Sequence, residues 1–576
     1  MLILLTIFLL LFIPFAMLIL HLARPKFSIQ GFLVVLAVLA GWPMVLLARS
    51  AVPQTITLLR WQPVSFFPIS PALLIDDISW YFALAVMSLA LSSIVTSIAQ
   101  LGQSLKPDLI KNDPKVEVID VQAHPEVVAS FSKPALSIEY TSTSNWQSWA
   151  GILIMTSLSL VAVTAGNLLT LLLAWAALDL LELAILLSQV LQSKSRERII
   201  LAFTARMAGI GMALLAAIIP WSQGISISFE AINQSTSVYL LVAAGLRLGV
   251  LPLHLPYIQQ LPHRRGLGTV LCLIPAASSY ILLVRIANIG VLGAASPYLL
   301  GLTALAGLYA AIHWIIAVDE IDGRPYWLLG TASLAIASAI SNQPTACIAW
   351  SIASLLSGGL IFSMSMRHKN LIPIASFGFI GLSTLPFSPT WLGMTLYQFV
   401  GASSDAIIAP LFYLLSFAFL LIHSLLLTGF IRHIIRGVFY LGEQPAEHTE
   451  KWVWFLYPIG LVFILVTHYL IGFLLYPDLN ELPLSGWIMG VVALIISVAL
   501  WYLLRRYLYA LPHRDQSNQA SPLSIFFSLE WFYRLFWGLF RILARMNALL
   551  STILEGDGGI LWALVLFALI FVFLQR

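Results

Sequence analysis

Charge is what this chain has least of. Asp, Glu, Lys and Arg make up 9% of its 576 residues, where a soluble domain carries about 25%. With 60% apolar residues and a mean hydropathy of +0.94, a soluble globule is excluded and a polytopic membrane protein is expected. Cysteine is nearly as scarce. Cys272 and Cys347 lie in apolar spans with no His or Cys at ligand spacing, which excludes a disulfide framework and argues against a metal centre. A Gly-rich dinucleotide turn after a strand, a haem-attachment cysteine pair and iron–sulfur spacing are all missing from the sequence, so a redox enzyme in its own right is not expected. The small net charge of +4 gives no reason to expect a nucleic-acid partner.

Long apolar runs are what the chain has instead. Taking spans of at least about 17 apolar residues, helices are expected near 1–22, 30–48, 78–100, 148–165, 167–190, 197–220, 237–260, 268–290, 295–318, 325–341, 345–366, 372–399, 406–435, 452–475, 485–510 and 559–575. That is an all-α fold of about sixteen transmembrane helices. The first run has no basic leader and no clear small-residue cleavage site, so it reads as a retained helix. About 23 of the Lys and Arg residues fall in or beside the loops after odd-numbered helices, while the other face holds little more than Arg49, Arg60 and Arg576. This asymmetry predicts cytoplasmic odd loops and both termini outside.

Domain organisation follows from the same pattern. Residues 1–104 form N-terminal spans, 105–147 a polar cytoplasmic insertion of mixed charge, and 452–510 the C-terminal spans. In 521–555, aromatic and aliphatic residues alternate at helical spacing with Arg534, Arg541 and Arg545, as suits an amphipathic helix lying in the interface plane. Glu555-Gly-Asp-Gly-Gly559 then supplies a turn into a final span, 559–576.

The stretch richest in chemistry is Gly245-Leu-Arg-Leu-Gly-Val-Leu-Pro-Leu-His-Leu-Pro-Tyr257. Arg247 sits inside an apolar span, where a fixed cation is costly and calls for a counter-charge or a hydrated cavity. Pro252 and Pro256 each remove a backbone donor and predict a broken helix, a common way to build an ion path. The alternative is an Arg247 that snorkels to an interface and a His254 that is simply a packed, hydrogen-bonded histidine. Asp179 and Glu182, three residues apart on one helical face, are the candidate acids. They carry either an ion path or a structural neutralisation of Arg206 or Arg247.

Further local patterns are Leu173-Ala-Trp-Ala-Ala-Leu-Asp-Leu-Leu-Glu182, Ala202-Phe-Thr-Ala-Arg206, Leu251-Pro-Leu-His254, Pro275-Ala-Ala-Ser-Ser-Tyr280, Asp319-Glu-Ile-Asp-Gly-Arg-Pro-Tyr326 and Leu385-Pro-Phe-Ser-Pro389. In order and spacing they resemble the antiporter-like membrane subunits of respiratory complex I (NADH:quinone oxidoreductase) and of Mrp-type cation/proton antiporters. The resemblance covers roughly Leu73 to Ile435, and the C-terminal in-plane helix and last span are similar to those of the largest such subunit. It implies two inverted five-helix repeats, 148–290 and 295–435, with broken seventh and twelfth helices. It also implies membership of a multi-subunit complex with other hydrophobic subunits in an energy-transducing bilayer, such as a bacterial inner membrane. No cofactor of its own is implied, and its role would be that of a non-redox subunit.

The sequence departs from the family pattern at several relay positions. Where the family has Trp-Glu on the fifth helix, Trp175 is followed by Ala176, and Asp179 lies one turn on. The seventh-helix lysine corresponds to Arg247, which anchors acids well but holds its proton too tightly to carry it. Pro275, Ser354, Ser357, Gly358 and Met394 stand where the family tends to have ionisable groups. His313, His423 and His468 are isolated candidates for proton carriage. Two functions therefore stand side by side. One is proton or cation movement through Asp179, Glu182, Arg247 and His254, driven by a partner, and the other is a structural anchor whose own conduction is lost.

Overall fold

A computed structural model of the chain describes residues 1–23, 30–58, 70–101, 146–189, 193–222, 229, 233–255, 265–291, 295–317, 319–364, 369–398, 409–435, 451–476 and 484–510, together with scattered positions between 538 and 568. It divides into two compact units, Met1–Ala510 and Leu511–Arg576. The polar insertion up to residue 145, the 521–537 part of the amphipathic segment and the glycine-rich turn at 555–559 lie outside the described residues. In the second unit, the described positions between Gly538 and Ser551 and between Ala563 and Ala568 are helical.

The first unit is a helical bundle, in chain order α1 (Leu2–Ala23), α2 (Gln30–Leu47), α3 (Asp77–Leu101), α4 (Trp146–Val163), α5 (Leu168–Gln189), α6 (Ser193–Ser222), α7 (Gln234–Leu248), α8 (Arg265–Ile289), α9 (Ser296–Ile316), α10 (Arg324–Ile340), α11 (Pro344–Ser363), α12 (Ile372–Leu382), α13 (Ala409–Ile435), α14 (Lys451–Leu475) and α15 (Leu484–Ala510). Twelve of these are long and apolar enough to cross a membrane, and α7 and α12 are shorter apolar helices. The chain is an integral, multi-pass membrane protein. In lipid a helix satisfies every backbone group internally, which is why these runs fold as they do. Depth in the bundle differs sharply: α3, α8, α10 and α11 are almost wholly buried, whereas α1, α2, α6 and α15 present wide apolar faces outward.

Both short helices are breaks, and each is the fourth in a set of five, α4–α8 and α9–α13. The seventh helix stops at Leu248, earlier than the apolar run suggests, because Gly249 takes a left-handed φ of 80° and the Val250 N–H reaches back to the Gly245 carbonyl at 2.9 Å. This six-to-one closure is the Schellman stop, and Pro252 then bars continuation. Gly245 has to be glycine for the chain to fold back, since a Cβ there would sit 2.7 Å from that of Leu251.

One feature has no signal in the apolar runs. Strand β1 (Gln54–Thr57) pairs antiparallel with β2 (Ala72–Ile75), in register Gln54 to Ile75. The free edge of β2 is covered, since Leu74 N–H donates to the Thr164 carbonyl at 2.7 Å and Gly166 N–H to that of Ala72 at 2.8 Å.

Candidate functional site

The site is assembled from three neighbouring helices. On α5, Trp175, Asp179 and Glu182 recur at four- and three-residue spacing and so share one face. Helix α6 brings Arg206 and α7 brings Arg247, in its last turn and one residue before the stop. Closeness of α6 to α7 depends on Gly209, where a Cβ would lie 2.9 Å from the Ala243 carbonyl oxygen and 3.0 Å from Arg247 Cγ.

All four ionisable groups are buried, with exposures of 0% for Asp179, 1% for Glu182, 6% for Arg206 and 5% for Arg247. Arg247 grips Asp179 with two parallel hydrogen bonds, Nη1 to Oδ2 at 2.5 Å and Nη2 to Oδ1 at 2.9 Å. This fork geometry is the strongest form of such a pair. The guanidinium also lies 4.3 Å from the Trp175 ring centre, a cation–π contact, and Trp175 Nε1 donates to Ser278 Oγ on α8 at 2.9 Å. Arg206 donates from Nη1 to Glu182 Oε1 at 2.6 Å and holds its Nε 3.6 Å from Asp179 Oδ1. Asp179 is thus shared by two cations. Two positive and two negative groups leave the cluster neutral, the condition under which buried charges are tolerated.

A cavity of about 20 Å³ abuts the cluster, lined by Arg206, Arg247, Cys272, Pro275, Ser279 and Leu328 among others. One water needs roughly 10–15 Å³ by this measure, so a single water fits. Nothing in this geometry suits a metal: among the described residues no group of His, Cys, Asp and Glu is placed to hold one.

Of the residues expected from the sequence, Asp179, Glu182 and Arg247 meet. His254 lies close enough to Arg206 to feel its charge; its ring Nδ1 is 2.8 Å from the Pro252 carbonyl oxygen and its backbone N–H donates to the Gly249 carbonyl, within the break of α7. Arg206 is the member that sequence reasoning held only as a possible neutralising partner. Its signal was the same as that of Arg247, a fixed cation in an apolar span. Of the isolated histidines, two meet carbonyls, His313 Nδ1 at 2.8 Å from the Tyr309 oxygen and His423 Nε2 at 2.8 Å from that of Leu382, while His468 is buried and its Nε2 has no hydrogen-bond partner among the described residues.

No protein-family model matches the chain, and no curated protein sequence does. Solved structures do match. A chain of the membrane-bound sulfane sulfur reductase, an archaeal respiratory membrane complex, aligns over 99% of both chains with a TM-score of 0.61 and 14% identity. One from respiratory complex I of Thermus thermophilus aligns over 82% of this chain and 98% of its own, with a TM-score of 0.55 and 14% identity. A chain of the Mrp complex from Dietzia sp. DQ12-45-1b covers all of this chain and 63% of its own, with a TM-score of 0.63 and 12% identity. The fold is therefore that of the antiporter-like membrane subunits of respiratory and Mrp complexes.

Proposed function

We propose that this chain is an antiporter-like subunit of a multi-subunit, proton- or cation-translocating membrane complex, and that its four-charge cluster works as a switch of pairing and not as a carrier. The observation that supports this reading is the sharing of Asp179 between Arg247, held bidentately, and Arg206, whose Nε stands 3.6 Å away. Both guanidiniums stay charged throughout, so only the carboxyls can take up a proton. When Glu182 is protonated, its pair with Arg206 weakens and the cluster gains one positive charge. Arg206 then has a second carboxylate within reach, and a small shift re-pairs it with Asp179 at the expense of the Arg247 fork. In a low-dielectric interior such a change in charge is felt by neighbouring groups far more strongly than in water. Partner subunits would supply the energy that drives the cycle.

A second reading is a structural anchor. It is favoured by the second set of helices, where the buried cation Arg432 and His433 both meet backbone carbonyls. One experiment separates the two. The whole complex, with Asp179→Asn in this chain, is reconstituted into vesicles carrying an internal pH dye. Reduced proton movement with assembly intact supports the switch, while normal movement removes Asp179 from the mechanism and leaves the anchor.

A further inference from the structure

The ionic cluster is neutral as a whole but not evenly arranged. Asp179 and Glu182 lie on α5 and do not line the adjoining cavity of about 20 Å³, whereas the guanidinium-bearing Arg206 and Arg247 both do. Positive charge therefore fronts the cavity, with the carboxylates set back behind it. The rest of the wall includes Cys272, Pro275 and Ser279, which recur at three- and four-residue spacing and share one face of α8, and Leu328 of α10. Arg324, buried on α10, adds a third cation whose field reaches the Cys272 thiol, against that of Glu182.

Two residues of this wall carry donors that nothing in the chain answers. Arg247 is 5% exposed and its Nε–H has no hydrogen-bond partner among the described residues; Ser279 is 1% exposed and its hydroxyl has none either. An unanswered buried donor is costly, more so on a charged group, so two of them at one cavity mark the place of an acceptor. One water needs roughly 10–15 Å³, so the space admits a single particle a little larger than water. That excludes sulfate, phosphate and organic carboxylates. Pro275 has no N–H and deprives the Leu271 carbonyl of its helical donor, which makes a neutral water the competing occupant. Two guanidiniums at the wall favour a charged acceptor, because charge-assisted hydrogen bonds are the stronger ones.

We propose that this cavity is a binding site for one small monovalent anion of the halide class, chloride above all, held by the Arg247 Nε–H, the Ser279 hydroxyl and the field of Arg206. The site needs the geometry of the cluster and not the switch. Its occupant draws on the same guanidiniums that hold Asp179 and Glu182, so halide is a ligand that tightens the junction of α6, α7, α8 and α10.

The test reads binding and not proton movement, so its outcome is independent of the flux measured in Asp179→Asn. The complete complex, purified in mild detergent and exchanged into gluconate, is titrated with chloride, bromide or sulfate at constant ionic strength while its thermal midpoint is followed. Radioactive chloride is counted at equilibrium in parallel. The wild type is expected to bind chloride saturably and to melt higher in chloride and bromide than in gluconate or sulfate. Ser279→Ala deletes one donor and is expected to weaken chloride binding at least about tenfold, the worth of one hydrogen bond to a charged group. Leu328→Phe fills the cavity and is expected to abolish the halide-dependent shift. Each variant is compared with itself in gluconate, so a lower baseline midpoint does not enter. A wild-type midpoint blind to halide overturns the site and leaves a neutral water there. Equal halide shifts in the wild type and both variants mean an adventitious ion only, and overturn it as well. If Leu328→Phe does not assemble, Ser279→Ala decides: unchanged chloride affinity in it overturns the proposal.

Discussion

In helices α4–α8 the guanidiniums of Arg206 and Arg247 face carboxylates, whereas in α9–α13 Arg432 donates to the carbonyl oxygens of Ile315 and Ala317, and His433 Nε2 lies 3.0 Å from that of Trp314. Those carbonyls belong to the last turn and C-cap of α9, whose orphan acceptors and negative dipole end are met by the Arg432 guanidinium and the His433 ring. Among the described residues, Asp179 and Glu182 are the only buried carboxylates. The difference teaches where proton-linked behaviour can reside. A carbonyl fixes the Arg432 guanidinium but cannot titrate, while the first arrangement contains carboxyls whose charge can change. The two breaks differ in the same sense. Helix α7 ends on a glycine, but the segment after α12 carries positive φ at Thr384 (55°) and Phe387 (65°), where a side chain is disfavoured. That backbone is held by hydroxyls: Thr390 Oγ1 accepts from Thr384 N–H at 3.0 Å and donates to the Gly381 carbonyl at 2.9 Å, and Tyr476 donates to that of Ser388 at 2.8 Å.

The sharpest way to break this comparison is to remove one cation from each set. Arg247→Met leaves a buried carboxylate without its principal partner, with only Arg206 at 3.6 Å, and an expected cost of about 3–5 kcal/mol. Arg432→Met leaves neutral carbonyls, for which about 1–3 kcal/mol is expected. Thermal denaturation of the purified complex in mild detergent reads both. Equal losses would mean that the charged cluster is no more demanding than a helix cap.

The charged cluster was legible in the sequence because a charge in an apolar run has to be answered by something, and Asp179 and Glu182 were the acids at the right spacing. Pro252 announced a break, but the stop itself is made by Gly249 and the fold-back by Gly245, a tertiary closeness no local pattern encodes. His254 was legible as a candidate because its residue type can titrate, but its surroundings, the Pro252 carbonyl two residues away and the Arg206 charge, are set only by the fold of the break. The hairpin at 54–75 was illegible for its shortness, since four-residue strands rest on pairing rather than on periodicity. The cavity was hidden for a different reason: Cys272, Pro275 and Ser279 are ordinary in an apolar helix until the fold brings them to Arg206 and Arg247.

The contrast between the breaks is sharpened by smaller substitutions. Thr390→Val deletes the hydroxyl that serves both Gly381 and Thr384, leaving a buried carbonyl and an N–H unanswered, at an expected cost of about 1–3 kcal/mol. Gly249→Ala forces a Cβ into a left-handed turn, with about 1–2 kcal/mol expected. Because α7 carries Arg247 two residues before Gly249, the glycine variant is expected to lower proton flux as well as the denaturation midpoint. Thr390→Val lies beside no titratable carboxyl and should lower the midpoint alone. The reverse pattern would move the functional break from α7 to α12.

The smallest expected effect concerns the loop that joins α9 to α10, where carboxylates of the second set lie outside the spans. Partial burial, with Asp319 and Glu320 close by, pushes the Asp322 carboxyl up from 3.8 to about 6, against the opposing pull of Arg324. Its N–H donates to Asp319 Oδ1 at 2.7 Å, so the acids are held together by the turn itself. A folded carboxyl that holds its proton more tightly than the unfolded one contributes stability that is fully present at low pH. That contribution is lost as pH rises through the window from the ordinary value to the folded one, and it is constant above. The wild-type complex should therefore lose midpoint between roughly pH 4 and pH 6 from this group, and Asp322→Asn should flatten that decline and melt slightly higher at neutral pH. An identical pH profile for the two proteins would show that this loop is solvated like any other, and that the second set of helices has no proton-sensitive acid at its margin either.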